Sequence, residues 1–198
     1  MVIGKIVKSN SHIDYVCQVY GPGEVQQPPS PGHYAFGTFV RVELLESRWL
    51  VGIIHNTLLH NPEFGRLGPR LSPKQELAVF TPDYLNEKAT LVGIAAVGTM
   101  NTAGQVVQGV PSLAASSDAL VERMTGMQIR SFHQQEDSPP RLAYAPLLLA
   151  QGSPLAPHLL SRVVAQLMSL FPEEIQLLTV IQDDLIWKTQ IGPLGGVM

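Results

Sequence analysis

The stretch YAFGTFVRVELLESRWLVGIIHNTLLHNPEFG, residues 34–65, decides the fold class. Within residues 35–44, Val40, Val42 and Leu44 fall on one face and Arg41 and Glu43 on the other. That is the period-2 pattern of a half-buried β-strand. A short polar connection, Glu46-Ser47, leads into a second β-type run, residues 48–57, which is apolar on both faces through residues 49–54. A strand of that kind needs cover on both sides. The Pro/Gly-punctuated loop Asn61-Pro62-Glu63-Phe64-Gly65 then breaks the pattern.

Outward from this pair, the N-terminal half continues to read as β. Residues 2–8 form a short run. Residues 13–20 alternate, with Ile13, Tyr15, Cys17 and Val19 on one face and Asp14 and Gln18 on the other. Ser9-Asn10-Ser11-His12 is a turn between them, and Gly21-Pro22-Gly23 ends the second run. Residues 89–98 are apolar on both faces, and residues 105–110 form a short last run. About six punctuated strands suit a small closed barrel, which leaves no open edge. The long connection 57–88 is expected to hold short helical turns, because Ser72-Pro73-Lys74-Gln75 is a capping-box pattern and Thr81-Pro82 repeats the start signal.

After Val110-Pro111 the composition shifts towards helix. Ser117-Asp118 is read as the cap of a helix carrying Leu120, Val121 and Met124 and stopped near Gly126. Residues 133–140, polar and ending in two prolines, are the expected linker. Beyond it, residues 141–150 are short and apolar, and Ser153-Pro154 is a start signal. Leu160, Val163, Val164, Leu167, Met168 and Phe171 trace one helical stripe, and Leu178, Ile181 and Leu185 continue on a second helix after Pro172. The fold class is therefore α+β: a β-barrel domain over residues 1–112 and a helical region over residues 113–198.

Composition narrows the function classes. The chain has 198 residues, of which 45% are hydrophobic and 15% charged, against about 25% charged in ordinary soluble domains. The excess apolar surface points to a partner interface. A formal net charge of -3 argues against a general duplex-DNA binder, which carries a net basic patch. The single cysteine, Cys17, excludes an internal disulfide and is read as a buried small hydrophobe. Met1-Val2-Ile3-Gly4-Lys5 begins a strand rather than a signal peptide, and no apolar run approaches the roughly 20 residues of a membrane span, so a cytoplasmic location is expected.

Motifs for chemistry are not found. There is no GxxxxGK[ST] or GxGxxG loop and no GxSxG elbow; Gly192-Pro193-Leu194-Gly195-Gly196 is glycine-rich but has no following Lys. His55 and His60 with nearby Glu63 match no established zinc spacing. Glu173-Glu174 and Asp183-Asp184 are adjacent on helices, so each pair points apart. No catalytic residue, metal or cofactor is expected, and the chain is read as a non-enzyme. The one basic cluster, Arg66, Arg70 and Lys74, lies among apolar Phe64 and Leu67. Such a mixture suits a protein interface, and residues Asn61, Phe64, Arg66, Leu67, Arg70 and Lys74 are the candidate contact surface. The same loop carries the alternative reading, a nucleic-acid accessory protein; an enzyme with a site assembled from distant residues is the second alternative.

In order along the chain, Val2-Ile3-Gly4-Lys5-Ile6-Val7, the run ending in Gly21-Pro22-Gly23-Glu24-Val25, Tyr34-Ala35-Phe36-Gly37-Thr38-Phe39-Val40, Leu50-Val51-Gly52-Ile53-Ile54 and Asn61-Pro62 resemble the HAS-barrel. That barrel is shared by HerA-type DNA-translocating ATPases and the N-terminal part of rotary ATP synthase subunits. The resemblance covers roughly residues 1–110. It implies a barrel that helps subunits associate or docks partners at one end of a ring. Within these 198 residues no P-loop pattern follows the barrel, and a helical segment is expected after it. The expected role is a non-catalytic module for oligomerisation or for docking onto a partner protein, such as a separately encoded ATPase.

Overall fold

The computed structural model describes residues 1–45, 47–61, 89–135 and 138–190, with side chains described through residue 187. Among the described residues seven strands occur: β1 (Val2–Ser11), β2 (Asp14–Val19), β3 (Phe39–Leu45), β4 (Arg48–His60), β5 (Ala89–Asn101), β6 (Val106–Gln108) and β7 (Leu120–Arg123). The sheet order is β2-β1-β7-β3-β4-β5-β6, and β2 also pairs with β5. That last pairing closes a ring of six antiparallel strands, with β6 attached outside it on β5. The closed barrel with helices behind it is the α+β architecture expected above.

The two-sided apolar strands explain how barrel and helices join. Along β4, Leu50 and Ile54 enter the barrel interior while Val51 and Ile53 face outward into a second core. Along β5, Val92, Ile94 and Ala96 point in, and Ala95 and Val97 point out. Both sets are fully or nearly fully buried. The inner core adds Ile3, Tyr15, Cys17, Val40, Val42 and Val121. The outer core lies between the barrel wall and the C-terminal helices, whose Leu160, Val163, Val164, Leu167 and Phe171 supply the cover. The helical stripe read from the sequence is thus buried on the chain's own barrel.

Among the described residues four helices follow: α1 (Gly126–His133), α2 (Ala145–Ala150), α3 (Ala156–Leu170) and α4 (Ile175–Gln190), with a 3-10 turn, Pro172–Glu174, before the last. The chain bends by 115° between α3 and α4, and no single helix among the described residues is long and apolar enough to cross a membrane. Polar side chains fasten these helices. Arg130 on α1 donates to the Leu170 carbonyl, pairs with Glu173 at 2.6 Å and lies 4.4 Å above the Phe171 ring. Gln108 on β6 donates to the carbonyls of Phe132 and Arg141 and accepts from the Ala143 N–H.

Four expectations need correction. The segment read as a helix over residues 117–126 is a turn followed by β7. Asp118 has φ 63, a left-handed conformation that starts no helix, and Val121 fills the barrel between β1 and β3. The barrel therefore extends past residue 112 to Arg123, because β7 is the strand that joins β1 to β3. Gly126, read as a helix stop, is instead the first residue of α1. Thr125 accepts from the Gln128 N–H while the Gln128 side chain accepts from the Thr125 N–H, a capping box. The segment 133–140 begins with a buried helical residue, His133, and Gln135 Nε2 donates to the Val106 carbonyl on β6. Smaller shifts also occur: the first turn sits at His12-Ile13 rather than at residues 9–12, since β1 runs on to Ser11.

Candidate functional site

Of the candidate contact residues, Asn61 lies exposed just past the end of β4. Phe64, Arg66, Leu67, Arg70 and Lys74 lie outside the described residues, as do Glu63, the helix starts at Ser72 and Thr81, and the glycine-rich tail from Gly192. No cluster of three His, Cys, Asp or Glu side chains that could hold a metal occurs among the described residues. His60 is exposed at the end of β4, and His55 turns elsewhere. Its Nε2 lies 3.1 Å from Asp14 Oδ1, and the other oxygen of that carboxylate accepts from Asn10 Nδ2 at 3.0 Å. His55 falls at a register shift between Ile54 and Asn56, so a β-bulge turns its ring across β5 towards β2. Gly93 leaves the space: a Cβ there would sit 2.9 Å from His55 Nε2. The cleft beside His55 holds about 10 Å³, against the walls of Leu148, Ser153 and Leu159, room for about one water. The pair stitches β2 to β4 at the seam where the helices meet the barrel.

A larger concavity opens on the other side of the barrel wall. It encloses about 340 Å³ between Glu43, Leu44 and Leu45 on one flank and Ser116, Asp118, Ala119 and Leu120 on the other, with Trp49 and Glu122 below. The wall splits here for a local reason. β7 pairs with β3 only at Val40, Arg41 and Val42, whereas the chain before it stays with β1, through Ile6 N–H to the Ala119 carbonyl and Asp118 N–H to the Ile6 carbonyl. Charges line the wedge. Arg41 binds Glu122 at 2.6 Å and covers the Trp49 ring at 4.9 Å, and Lys5 binds Asp118 at 3.0 Å. That hydrogen bond to Asp118 raises the Lys5 pKa above its ordinary value.

A family model described as a domain of unknown function, DUF8166, matches residues 1–195. The chain belongs to that family. No curated protein matches it. The match spans barrel and helices together, in keeping with the shared outer core of this DUF8166 domain.

The most polar point of that core is His133, 1% exposed. Its Nδ1 is 2.8 Å from the Ile129 carbonyl, to which it donates, and its Nε2 is 2.7 Å from the Tyr144 hydroxyl, from which it accepts. Phe39 and Phe132 meet the ring edge-on at 5.2 Å. Burial pushes the His133 pKa down to about 4, against a small opposing pull from the Ile129 carbonyl, and burial raises that of Tyr144 well above the usual phenol value. The neutral pair is a satisfied polar tie inside the DUF8166 core. Cys17 is buried in the barrel, and burial alone pushes its thiol up to about 12, away from nucleophilic chemistry at neutral pH.

α4 presents the remaining feature of note. Its inward face holds Leu178 and Leu185, yet Leu177, Val180 and Trp187 are 41%, 68% and 59% exposed. Val180 and Trp187, two turns apart, lie on the side opposite the buried leucines. The sequence stripe revealed only the inner face, because Leu, Val and Trp beyond it carry no mark of being unpartnered.

Proposed function

We propose that this chain is a non-catalytic assembly module, a HAS-barrel-like β-barrel that associates with further copies of itself or docks onto a partner protein. The observation that carries the reading is the outward face of α4. A surface helix normally sets one apolar stripe against the core and turns polar residues to water. Here the inner stripe is already used against α3, and Leu177, Val180 and Trp187 remain at the surface. Apolar clusters of this kind, Trp above all, are the usual anchors of protein interfaces. A low charged fraction, 15%, supports the same reading, and the assembly role of barrels in the family that residues 1–110 resemble agrees with it.

The test is the mass in solution. Multi-angle light scattering across a concentration series is expected to show a multiple of the 21.6 kDa chain. The double variant Val180→Glu with Trp187→Glu is expected to return it to one chain, with an unchanged circular dichroism spectrum. A wild-type protein that stays a single chain throughout the series overturns self-assembly. A double variant with the wild-type mass removes α4 as the contact.

A further inference from the structure

We propose that the wedge between β3 and β7 is a strand-addition site for an extended peptide segment carrying a basic side chain between apolar ones. Two independent observations meet there. The first is a strand edge left open where β3 and β7 part. Residues 43–45 of β3 pair with β4 on one side, while the β7 pairing ends at Val42, so among the described residues no strand lies along their other side. Backbone N–H and C=O groups on such an edge are a template for a further strand. The second is the lining. Glu43, Leu45, Leu120 and Glu122 share the outer face of this wall, with Leu45 69% and Leu120 48% exposed.

The charges select the sign of the ligand. Asp118 and Glu122 are each paired, with Lys5 and with Arg41. Glu43 has no ion pair among the described residues, although it lies directly across from Trp49 in the β3–β4 ladder. The wedge thus keeps one carboxylate beside an aromatic ring and two exposed leucines. An incoming Lys or Arg would pair with Glu43, while apolar residues two positions to either side, on the same face of the added strand, would meet Leu45 or Leu120. An acidic segment would meet the unpaired Glu43 carboxylate instead. The volume of about 340 Å³ holds a few side chains, not a folded domain. The assignment uses a different surface from the α4 face and stands without it.

The probe is the blocked peptide acetyl-Leu-Thr-Lys-Thr-Leu-amide, whose Lys and two Leu side chains share one face of the extended chain, titrated against the full chain while backbone amide resonances are followed. Two control peptides accompany it, one with Glu in place of Lys and one N-methylated along the backbone. Saturable binding is expected, with shifts concentrated at Glu43–Leu45 and Leu120. The acidic and N-methylated peptides are each expected to bind at least about tenfold more weakly. Glu43→Lys, a change at an exposed position, is expected to weaken the basic peptide by about as much, while Val180→Glu leaves it unchanged. Equal binding of acidic and basic peptides, no binding, shifts located elsewhere, or undiminished binding of the N-methylated peptide would each overturn the assignment. None of these outcomes bears on the mass measured for the α4 variants, so the two proposals fail separately.

Discussion

His133 joins α1 to the Tyr144 hydroxyl inside the outer core, and it does so as a neutral ring. Its folded pKa of about 4 lies below the ordinary 6.5 because burial disfavours the imidazolium. Between those values the unfolded chain holds the extra proton, so the contribution to stability is complete above about pH 6.5 and is lost as pH falls towards 4. A shift of this size corresponds to on the order of 3 kcal/mol. Thermal melts from pH 7 to pH 4 should show the wild type losing stability over that window, with the loss clearly smaller in His133→Gln. Equal slopes for the two proteins would show that other groups drive the acid sensitivity. In the sequence His133 stood as the first residue of a polar, proline-ended stretch; nothing local distinguishes it from a solvated histidine, because its partner Tyr144 and its neighbour Phe39 come from elsewhere in the chain. Cys17 was legible, since its place in an alternating run between Tyr15 and Val19 put it on the apolar face.

Elements were readable where their pattern was long and periodic. β2, β3, β4, β5 and the buried stripe of α3 all lie where alternation or helical spacing placed them. β7 was misread because four residues, Leu120-Val121-Glu122-Arg123, are too few to separate strand from helix, and the preceding Ser117-Asp118 imitates a cap. The pairing that makes it a strand comes from β1 and β3, both far away in sequence. α1 carried a sequence signal that was overlooked: Thr125 and Gln128 at capping-box spacing, hidden behind a Gly usually taken as a stop. Thr125→Ala should cost about 1 kcal/mol by removing the acceptor for the Gln128 N–H. A chemical-denaturation midpoint indistinguishable from wild type would show that the cap contributes nothing.

For the whole molecule, the decisive feature is the shared outer core. Val51, Ile53, Ala95 and Val97 of the barrel wall are buried in one core with residues of the C-terminal helices. A fragment of residues 1–112, the barrel as its sequence delimits it, lacks both β7, which closes the ring, and the helices that cover this wall. It should show no cooperative thermal transition and should aggregate; a cooperative, monomeric fragment would mean that barrel and helices are separable. The chain by itself determined the class of the fold, because alternating and two-sided apolar runs permit few arrangements other than a barrel with cover, and it determined that some cover must exist. Tertiary structure alone decided what supplies that cover, where the ring closes, how a bulge turns His55 to Asp14, and where the wall splits to expose the edge of β3. The physical reason is the same in each case. Periodicity records which face of an element is apolar, but a partner brought in across tens of residues is fixed by packing and pairing that no local pattern encodes.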